Sequence, residues 1–409
     1  MRARTLALCC VRMSETLRRE IAGSGWVELL AEMVRTPSHP GVPRQEEAVV
    51  EVLRRYFENR GVPCATTDVT PGRPNLLART GGDAPGRRLL LCGHTDTVPL
   101  NQGDPGAGFS AEIRDGRLYG RGACDMKGAL AAMAAALVAL RKADVLERGE
   151  VVLAAVADEE MESLGAEELV KEGMKADGAI VGEPTSNRLA LGHKGLEWLE
   201  IEFTGRAAHG GTPQAGINAA VAAARFIALA EDRLQPALAA RSHPLLGPPT
   251  WNVGTIAGGD QPSTVAASCL LRADRRSVPG ESFESMIGEL EALLALVRER
   301  MPGLATAIRR VSGGMATLEH LPSLIDADHP LSNAVREAAR EASVPSGPDI
   351  AFPAWTDAAL LSNFARIPCV VLGPGDLAHA HSPREFVPLA EVEQAALLYA
   401  LAALRFCSS

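Results

Sequence analysis

The chain lacks any run of basic residues. Its 41 Lys and Arg stand against 50 Asp and Glu, a formal net charge of −9, which argues against nucleic acid or an anionic membrane surface as a partner. No apolar run is expected to reach the length that spans a bilayer. Metal-type Cys-x-x-Cys pairs are missing too. The eight cysteines (9, 10, 64, 92, 124, 269, 369 and 407) are scattered, which suits buried reduced thiols and a cytoplasmic location rather than a disulfide framework. There is no internal repeat and no low-complexity segment, so no solenoid is expected. The start, Met1 to Arg12, has an apolar core too short for a signal peptide and no small-residue cleavage site. The expectation is a disordered tail over 1–13, with Met13 as a candidate start.

What is present is ordinary globular material: 409 residues, 46% hydrophobic and 22% charged, long enough for two domains. Ser14 and the apolar face Leu17, Ile21, Trp26, Leu29, Leu30 and Met33 predict a helix over 14–35, and a second helix is expected over 45–60. The run Leu89-Leu90-Leu91-Cys92-Gly93 predicts a buried strand that ends in His94-Thr95-Asp96. Residues 101–110 read as loop. Arg121 to Gly128 leads into a buried Ala- and Leu-rich helix reaching about Lys142. Apolar strands over 150–157 and 178–182 end in Asp158-Glu159-Glu160 and Glu183-Pro184-Thr185. A helix over 163–173 lies between them.

The pattern changes after Gly192. Trp198 to Thr204 alternates, and the order β-α-β-β-α-β over about 193–309 predicts a two-layer α+β module. Buried strand and helix signals return afterwards, with a strand over 369–373 and a final helix from Leu389. The expected architecture is α/β, a central, mostly parallel sheet between helices, formed by 1–192 and 310–409, with the 193–309 module inserted.

Five positions stand at or just beyond strand ends: His94 with Asp96, Asp125, Glu159 with Glu160, Glu183, and His381. Parallel strands would bring them to one edge, where open α/β sheets hold their ligands. So many carboxylates in one crevice raise each other's pKa values, and bound cations remove the conflict. Two histidines among carboxylates suit Zn²⁺, with Mn²⁺ or Co²⁺ also compatible.

These motifs resemble the M20 family of dinuclear zinc peptidases and deacylases. The matching text is Gly93-His94-Thr95-Asp96, Gly120-Arg121-Gly122-Ala123-Cys124-Asp125-Met126-Lys127-Gly128, Asp158-Glu159-Glu160, Gly182-Glu183-Pro184-Thr185, Gly205-Arg206-Ala207-Ala208-His209, and Gly373-Pro374-Gly375 with His381-Ser382-Pro383-Arg384-Glu385. The resemblance implies two Zn²⁺ per subunit. His94 and Glu183 would hold one, Glu160 and His381 the other, and Asp125 would bridge them. Glu159 would be the general base, and Asp96 would accept the second ring N–H of His94. It further implies that the inserted module is a lid and homodimerisation domain. His209 would there polarise the scissile carbonyl in a neighbouring subunit's site. Arg276, with Asn252, Gly373 and Gly375, would contact substrate. Two departures stand beside the site: the loop after the first motif has no Trp, and Arg384 stands where relatives carry Asn. The implied activity is hydrolysis of N-acyl amino acids. A dipeptidase or carboxypeptidase is the alternative, and a non-catalytic binding protein on the same scaffold is a further one.

Overall fold

The structure is a computed structural model that describes residues 2–101, 108–312, 318–344 and 347–408, with side chains from Arg12 onward. It forms two compact units: Met1–His193 with Ser323–Phe352 and Thr356–Ser409, and Lys194–Pro322 with Pro353–Trp355.

In chain order the first unit begins with α1 (Arg2–Ala22), α2 (Trp26–Arg35), α3 (Glu47–Glu58), β1 (Cys64–Thr70), β2 (Arg73–Gly81), β3 (Ala84–His94), β4 (Glu112–Arg114), β5 (Arg117–Tyr119), α4 (Gly128–Ala143), β6 (Arg148–Val156), α5 (Leu164–Lys171), β7 (Gly178–Val181) and β8 (Ala190–His193). The second unit holds β9 (Glu197–Thr204), α6 (Ala219–Leu229), α7 (Gln235–Ala239), β10 (Thr250–Gly258), β11 (Ser268–Arg276), α8 (Phe283–Arg300) and β12 (Ala305–Arg310). The chain then returns to the first unit with β13 (Ser323–Leu324), α9 (Pro330–Ala342), β14 (Ile350–Phe352), α10 (Ala358–Asn363), β15 (Cys369–Val371), β16 (Phe386–Pro388) and α11 (Leu389–Cys407).

The large sheet of the first unit runs β1-β2-β6-β3-β7-β15-β8-β13, with β14 also on β8. Its central strands β6, β3, β7 and β15 are parallel. The flanking pairs β1–β2, β2–β6, β15–β8 and β13–β8 are antiparallel, so the sheet as a whole is mixed. Every residue of β7 and β15 is buried, as expected of parallel strands covered on both faces. Helices α4 and α11 pack on each other and on β3 and β6, while α10 packs on β7 and β15. The stretch Ala123–Ala143 is apolar and long enough to cross a bilayer, which corrects the expectation that no such run exists. Its residues Ala123 to Leu140 are all buried, so it is the core helix of this unit.

Three further differences have local causes. The expected helix over 14–35 is two helices, and α1 begins at Arg2, so the backbone of the expected tail is helical. The break falls at Gly23-Ser24-Gly25, where Gly25 has φ 76° and the Arg60 side chain donates to the Ser24 carbonyl. Strand β1 was unforeseen because its centre, Ala65 to Asp68, is exposed and carries no apolar alternation. The second unit extends to Pro322 rather than 309, since Val311 N–H donates to Trp198 O and Leu196 N–H to His320 O. The loop expected over 101–110 falls largely outside the described residues.

The second unit is an antiparallel sheet in the order β10-β11-β9-β12. Its core gathers Leu199, Ile201 and Phe203 with Phe226, Trp251, Leu271, Leu290, Leu294 and Val297. Burial of each such side chain contributes roughly 1.5–3 kcal/mol. The Glu200–Arg272 and Glu202–Arg309 pairs sit on half-exposed arginines, where such pairs contribute only about 0.2–1 kcal/mol. The apolar core therefore dominates this unit's stability.

Candidate metal centre

The parallel register places the predicted residues at one edge of the first unit. His94 ends β3 opposite Val156, the last residue of β6, so Asp158 to Glu160 emerge beside it. Val181, the last residue of β7, is level with Cys92, and Glu183 follows two residues on. Val371 of β15 is level with Val181 and leads through Gly373-Pro374-Gly375 to His381. Asp125 comes from the irregular turn before α4. Buried Lys127 fastens that turn to the end of α2 by donating to Met33 O (3.0 Å) and Thr36 O (2.9 Å).

The five predicted ligands converge. His94 Nε2 lies 3.0 Å from Asp125 Oδ1. His381 Nε2 lies 3.4 Å from Asp125 Oδ2 and 3.1 Å from Glu160 Oε1. Asp125 thus presents one oxygen to each histidine, the arrangement a bridging carboxylate needs. His94, Glu159 and Glu183 bring donor atoms within 4.8 Å of one another, and so do His94, Asp125 and Glu160. Glu183 Oε1 is buried without a hydrogen-bond partner. An orphaned carboxylate oxygen among imidazoles and acids fits a divalent cation, because leaving it unpaired is costly.

Asp96 differs from its expected role. His94 Nδ1 is 3.0 Å from the Asp96 backbone carbonyl and 3.5 Å from its carboxylate. The two carboxylate oxygens accept instead from the backbone N–H of Glu159 (3.1 Å) and Glu160 (3.0 Å). Hydrogen bonds to a charged group contribute about 1.5–3 kcal/mol each. Asp96 therefore clamps the turn that carries both glutamates.

Burial pushes the carboxyls of Glu159 and Glu183 well above their usual range, reinforced by Glu183 and Asp125 respectively, and it raises Glu160 as well. Burial opposes protonation of His94, but Asp125 and Asp96 outweigh it and raise this imidazole well above its ordinary value. Hydrogen bonds to Asp125 and Glu160 raise His381 to about 10. Burial lifts Asp357 to about 7.

A stability prediction follows. A carboxyl whose folded pKa is raised stabilises the fold below its unfolded pKa and loses that contribution as pH rises through the folded value. The raised histidines act fully below pH ~6.5 and fade above it. Asp125, held below the usual range against burial by His381 and His94, contributes constantly above its ordinary value. Lys127, pushed down to about 7 by burial, does not titrate below that point. The melting temperature of metal-free protein should therefore fall between pH 4.5 and pH 7, and saturating divalent metal should flatten or reverse the slope. Differential scanning calorimetry checks this; a metal-free melting point that climbs with pH across the window contradicts it.

The second unit carries His209, Asn252 and Arg276. His209 is exposed, and its Nδ1 accepts from Gly211 N–H at 3.1 Å, which leaves the ring proton on Nε2. Arg275 is buried against Glu281 at 2.5 Å, whereas Arg276 is partly exposed. The structure thus separates the two adjacent arginines. Asp274 holds Arg276 through Nε (2.8 Å) and Nη2 (3.0 Å). Asn252 is exposed and opposite Asp274 in the β10–β11 register.

Gly373 and Gly375 have structural work that sequence reasoning missed. Gly373 C=O accepts from Thr185 N–H (3.1 Å) and Asn187 N–H (2.8 Å), and its N–H donates to Thr185 Oγ1 (3.1 Å). A Cβ at Gly373 would lie 2.2 Å from Gly182 O and 2.6 Å from Glu183 O. Gly375, at φ 89°, donates to Glu391 and accepts from Ser186. Both glycines position the Glu183 segment, and their backbone groups are already engaged there rather than turned to a ligand.

Two buried acids were also missed. Glu385 Oε1 accepts from Cys124 N–H (3.0 Å) and Asp125 N–H (3.2 Å), while Oε2 meets buried Arg121 at 2.6 Å. It ties the turn bearing Asp125 to the segment bearing His381. Asp357, 2% exposed with an unpartnered Oδ1, precedes α10. A single acid in a loop carries no sequence pattern that betrays burial. Cys124 packs as expected, its Sγ 3.3 Å from Asp376 O and its thiol pushed far up by burial.

A mixed α/β sheet presenting two histidines and several buried carboxylates at the ends of its parallel strands defines a metal-dependent hydrolase. The chain belongs to Peptidase family M20/M25/M40, matched over residues 90–405. It is 31% identical over 403 residues to an acetylornithine deacetylase from Proteus mirabilis, covering 93% of this chain and 97% of that one. The fold is that of an M20 family metallo-carboxypeptidase from Sulfolobus solfataricus (TM-score 0.74, 20% identity, 93% and 98% covered). It is also that of a dinuclear metal binding peptidase of the M20 family from Bacillus subtilis (TM-score 0.69, 16% identity, 93% and 98% covered).

Proposed function

We propose that this protein is a dinuclear-metal amidohydrolase that cleaves the amide bond of N-acyl amino acids. The carrying observation is Asp125, one oxygen toward His94 and the other toward His381, with Glu159, Glu160 and Glu183 alongside. His94 and Glu183 would hold one cation and Glu160 and His381 the other, with Asp125 shared. Imidazole nitrogen with carboxylate oxygen suits Zn²⁺, and Co²⁺ or Mn²⁺ can substitute. When bound, such a pair polarises the scissile carbonyl and makes water acidic enough to serve near neutral pH.

The chain's own groups supply the rest. Glu159 takes a proton from the attacking water and passes it to the leaving nitrogen. Water and amide thus become a carboxylate and a protonated amine, both protons of the water ending on the leaving nitrogen. Asp96 fixes Glu159 and Glu160 through their backbone N–H groups. His209, protonated on Nε2, is the donor assigned to the developing oxyanion in a neighbouring subunit's site. Arg276 is assigned the substrate α-carboxylate, a match for its planar fork. That carboxylate must displace Asp274 or share the fork with it.

The relatives' names support the deacylase over a dipeptidase or carboxypeptidase, since the acetylornithine deacetylases match over nearly the whole chain. Homodimerisation through the second unit fits its edge strand β10, which is exposed from Gly254 to Gly258 and displays Ile256. Sedimentation of an active monomer alone would remove that reading. The deciding experiment is a hydrolysis screen over N-acetyl, N-succinyl, N-carbamoyl and dipeptide substrates, with and without added divalent metal. Metal-dependent release of free amino acid from the N-acyl compounds is expected. Hydrolysis confined to dipeptides moves the assignment to the dipeptidase, and no hydrolysis of any class with metal bound rejects it.

A further inference from the structure

Beside the metal centre lies a cleft of about 430 Å³ whose walls include Leu100, Ser110, Arg114, Tyr119, Ser382 and Arg384. It adjoins the centre through Glu385, which lines it together with Arg121 and accepts from the Asp125 backbone N–H. The segment His381 to Glu385 touches Asp125 at both ends, through His381 Nε2 at 3.4 Å and Glu385 Oε1 at 3.2 Å. Arg384 is one Cα step, about 3.8 Å, from that second anchor. Its own position is therefore fixed by the metal centre even though its side chain is exposed.

The charges in this cleft are unequal. Glu112 lies 3.4 Å from Arg114, and Arg114 also stacks over the Tyr119 ring at 4.8 Å. Arg121 is matched by Glu385 at 2.6 Å. Among the described residues no carboxylate pairs with Arg384. In a chain of net charge −9, an unmatched guanidinium beside a carboxylate-lined centre is a selective feature, since guanidinium planes bind carboxylates bidentately. Hydroxyls of Ser110 and Tyr119 offer further donors, whereas that of Ser382 already donates to His379 O at 2.7 Å.

We propose that this cleft is a subsite for a second carboxylate on the substrate, beyond the α-carboxylate, and that Arg384 is its specificity-determining cation. The proposal rests on the amidohydrolase reading and narrows it to N-acyl amino acids with two carboxylates. The second carboxylate has two possible sources, a dicarboxylic acyl chain or an acidic amino-acid side chain.

The test compares kcat/KM for N-acetylleucine, N-succinylleucine and N-acetylglutamate in the metal-loaded parent, Arg384→Gln and Arg384→Glu. One dicarboxylate should exceed N-acetylleucine by about tenfold to a hundredfold in the parent, the range a charge-assisted contact provides. That ratio should collapse in Arg384→Gln and invert in Arg384→Glu. Advantage in the succinyl arm alone places the carboxylate on the acyl group, and advantage in the glutamate arm alone places it on the side chain. A parent with no dicarboxylate preference overturns the subsite while leaving the amidohydrolase intact. So does a loss in Arg384→Gln that is equal for all three substrates, which would mark an α-carboxylate contact. If none of the three is hydrolysed, the amidohydrolase reading fails and the subsite with it. Unchanged melting temperatures confirm that the exposed substitutions leave the fold alone.

Discussion

Glu159→Gln should abolish turnover while leaving metal content nearly intact. Proton transfer by a positioned base contributes about 10²–10⁴-fold, so a fall of that size in kcat is expected, with KM little changed. Glutamine keeps the side chain's shape and one carbonyl acceptor but cannot take a proton. The backbone contact survives as well, because Asp96 grips residue 159 by its N–H. Burial already disfavours the ionised Glu159 carboxylate in metal-free protein. The neutral amide should therefore be at least as stable as the parent at pH 8. Steady-state rates, metal analysis and a thermal melt on the same preparation check all three statements. Activity near the parent level would remove Glu159 from the proton path, and loss of metal in step with activity would make it a ligand. The latter is the sharper risk, since Glu159 lies within 4.8 Å of both His94 and Glu183 donor atoms.

Asp125→Ala should have the larger effect on metal. Asp125 is the only residue whose two oxygens approach both His94 and His381 among the described contacts. Its removal also takes away the anion that both imidazoles approach. Metal content should drop below one ion per chain and hydrolysis below detection. The contrast with Glu159→Gln is the informative part: one variant loses chemistry with metal in place, the other loses both. Two tightly held ions in Asp125→Ala would show that the bridge lies elsewhere.

Much of this site was legible because strand ends are legible. An apolar run that stops at a polar residue locates a sheet edge, and four parallel runs place their ends together. That logic located His94, Glu159, Glu160, Glu183 and the segment leading to His381. Asp125 was recognisable from its glycine-flanked motif. Where neighbours rather than patterns decide, the sequence was mute. Asp96 grips the Glu159–Glu160 backbone because β6 lies beside β3 in register, a fact of pairing rather than of spacing. Glu385 and Asp357 are single acids in irregular segments, buried by what surrounds them. The resemblance implies substrate contacts at Gly373 and Gly375, whereas the structure shows Gly373 in close approach to Gly182 and Glu183, and Gly375 against Cys124. The split between α1 and α2 and the exposed strand β1 escaped for the opposite reason, since apolar periodicity does not report a left-handed glycine or a polar edge strand.

The most direct measurement of the central claim is a calorimetric titration of metal-free protein with Zn²⁺, beside the single variants His94→Ala and His381→Ala. Two ions per chain are predicted for the parent, with protons released on binding because the raised carboxyls and imidazoles must give them up. Each variant should lose one high-affinity ion. A parent that binds no more than adventitious metal, or variants that both retain two ions, would contradict the account.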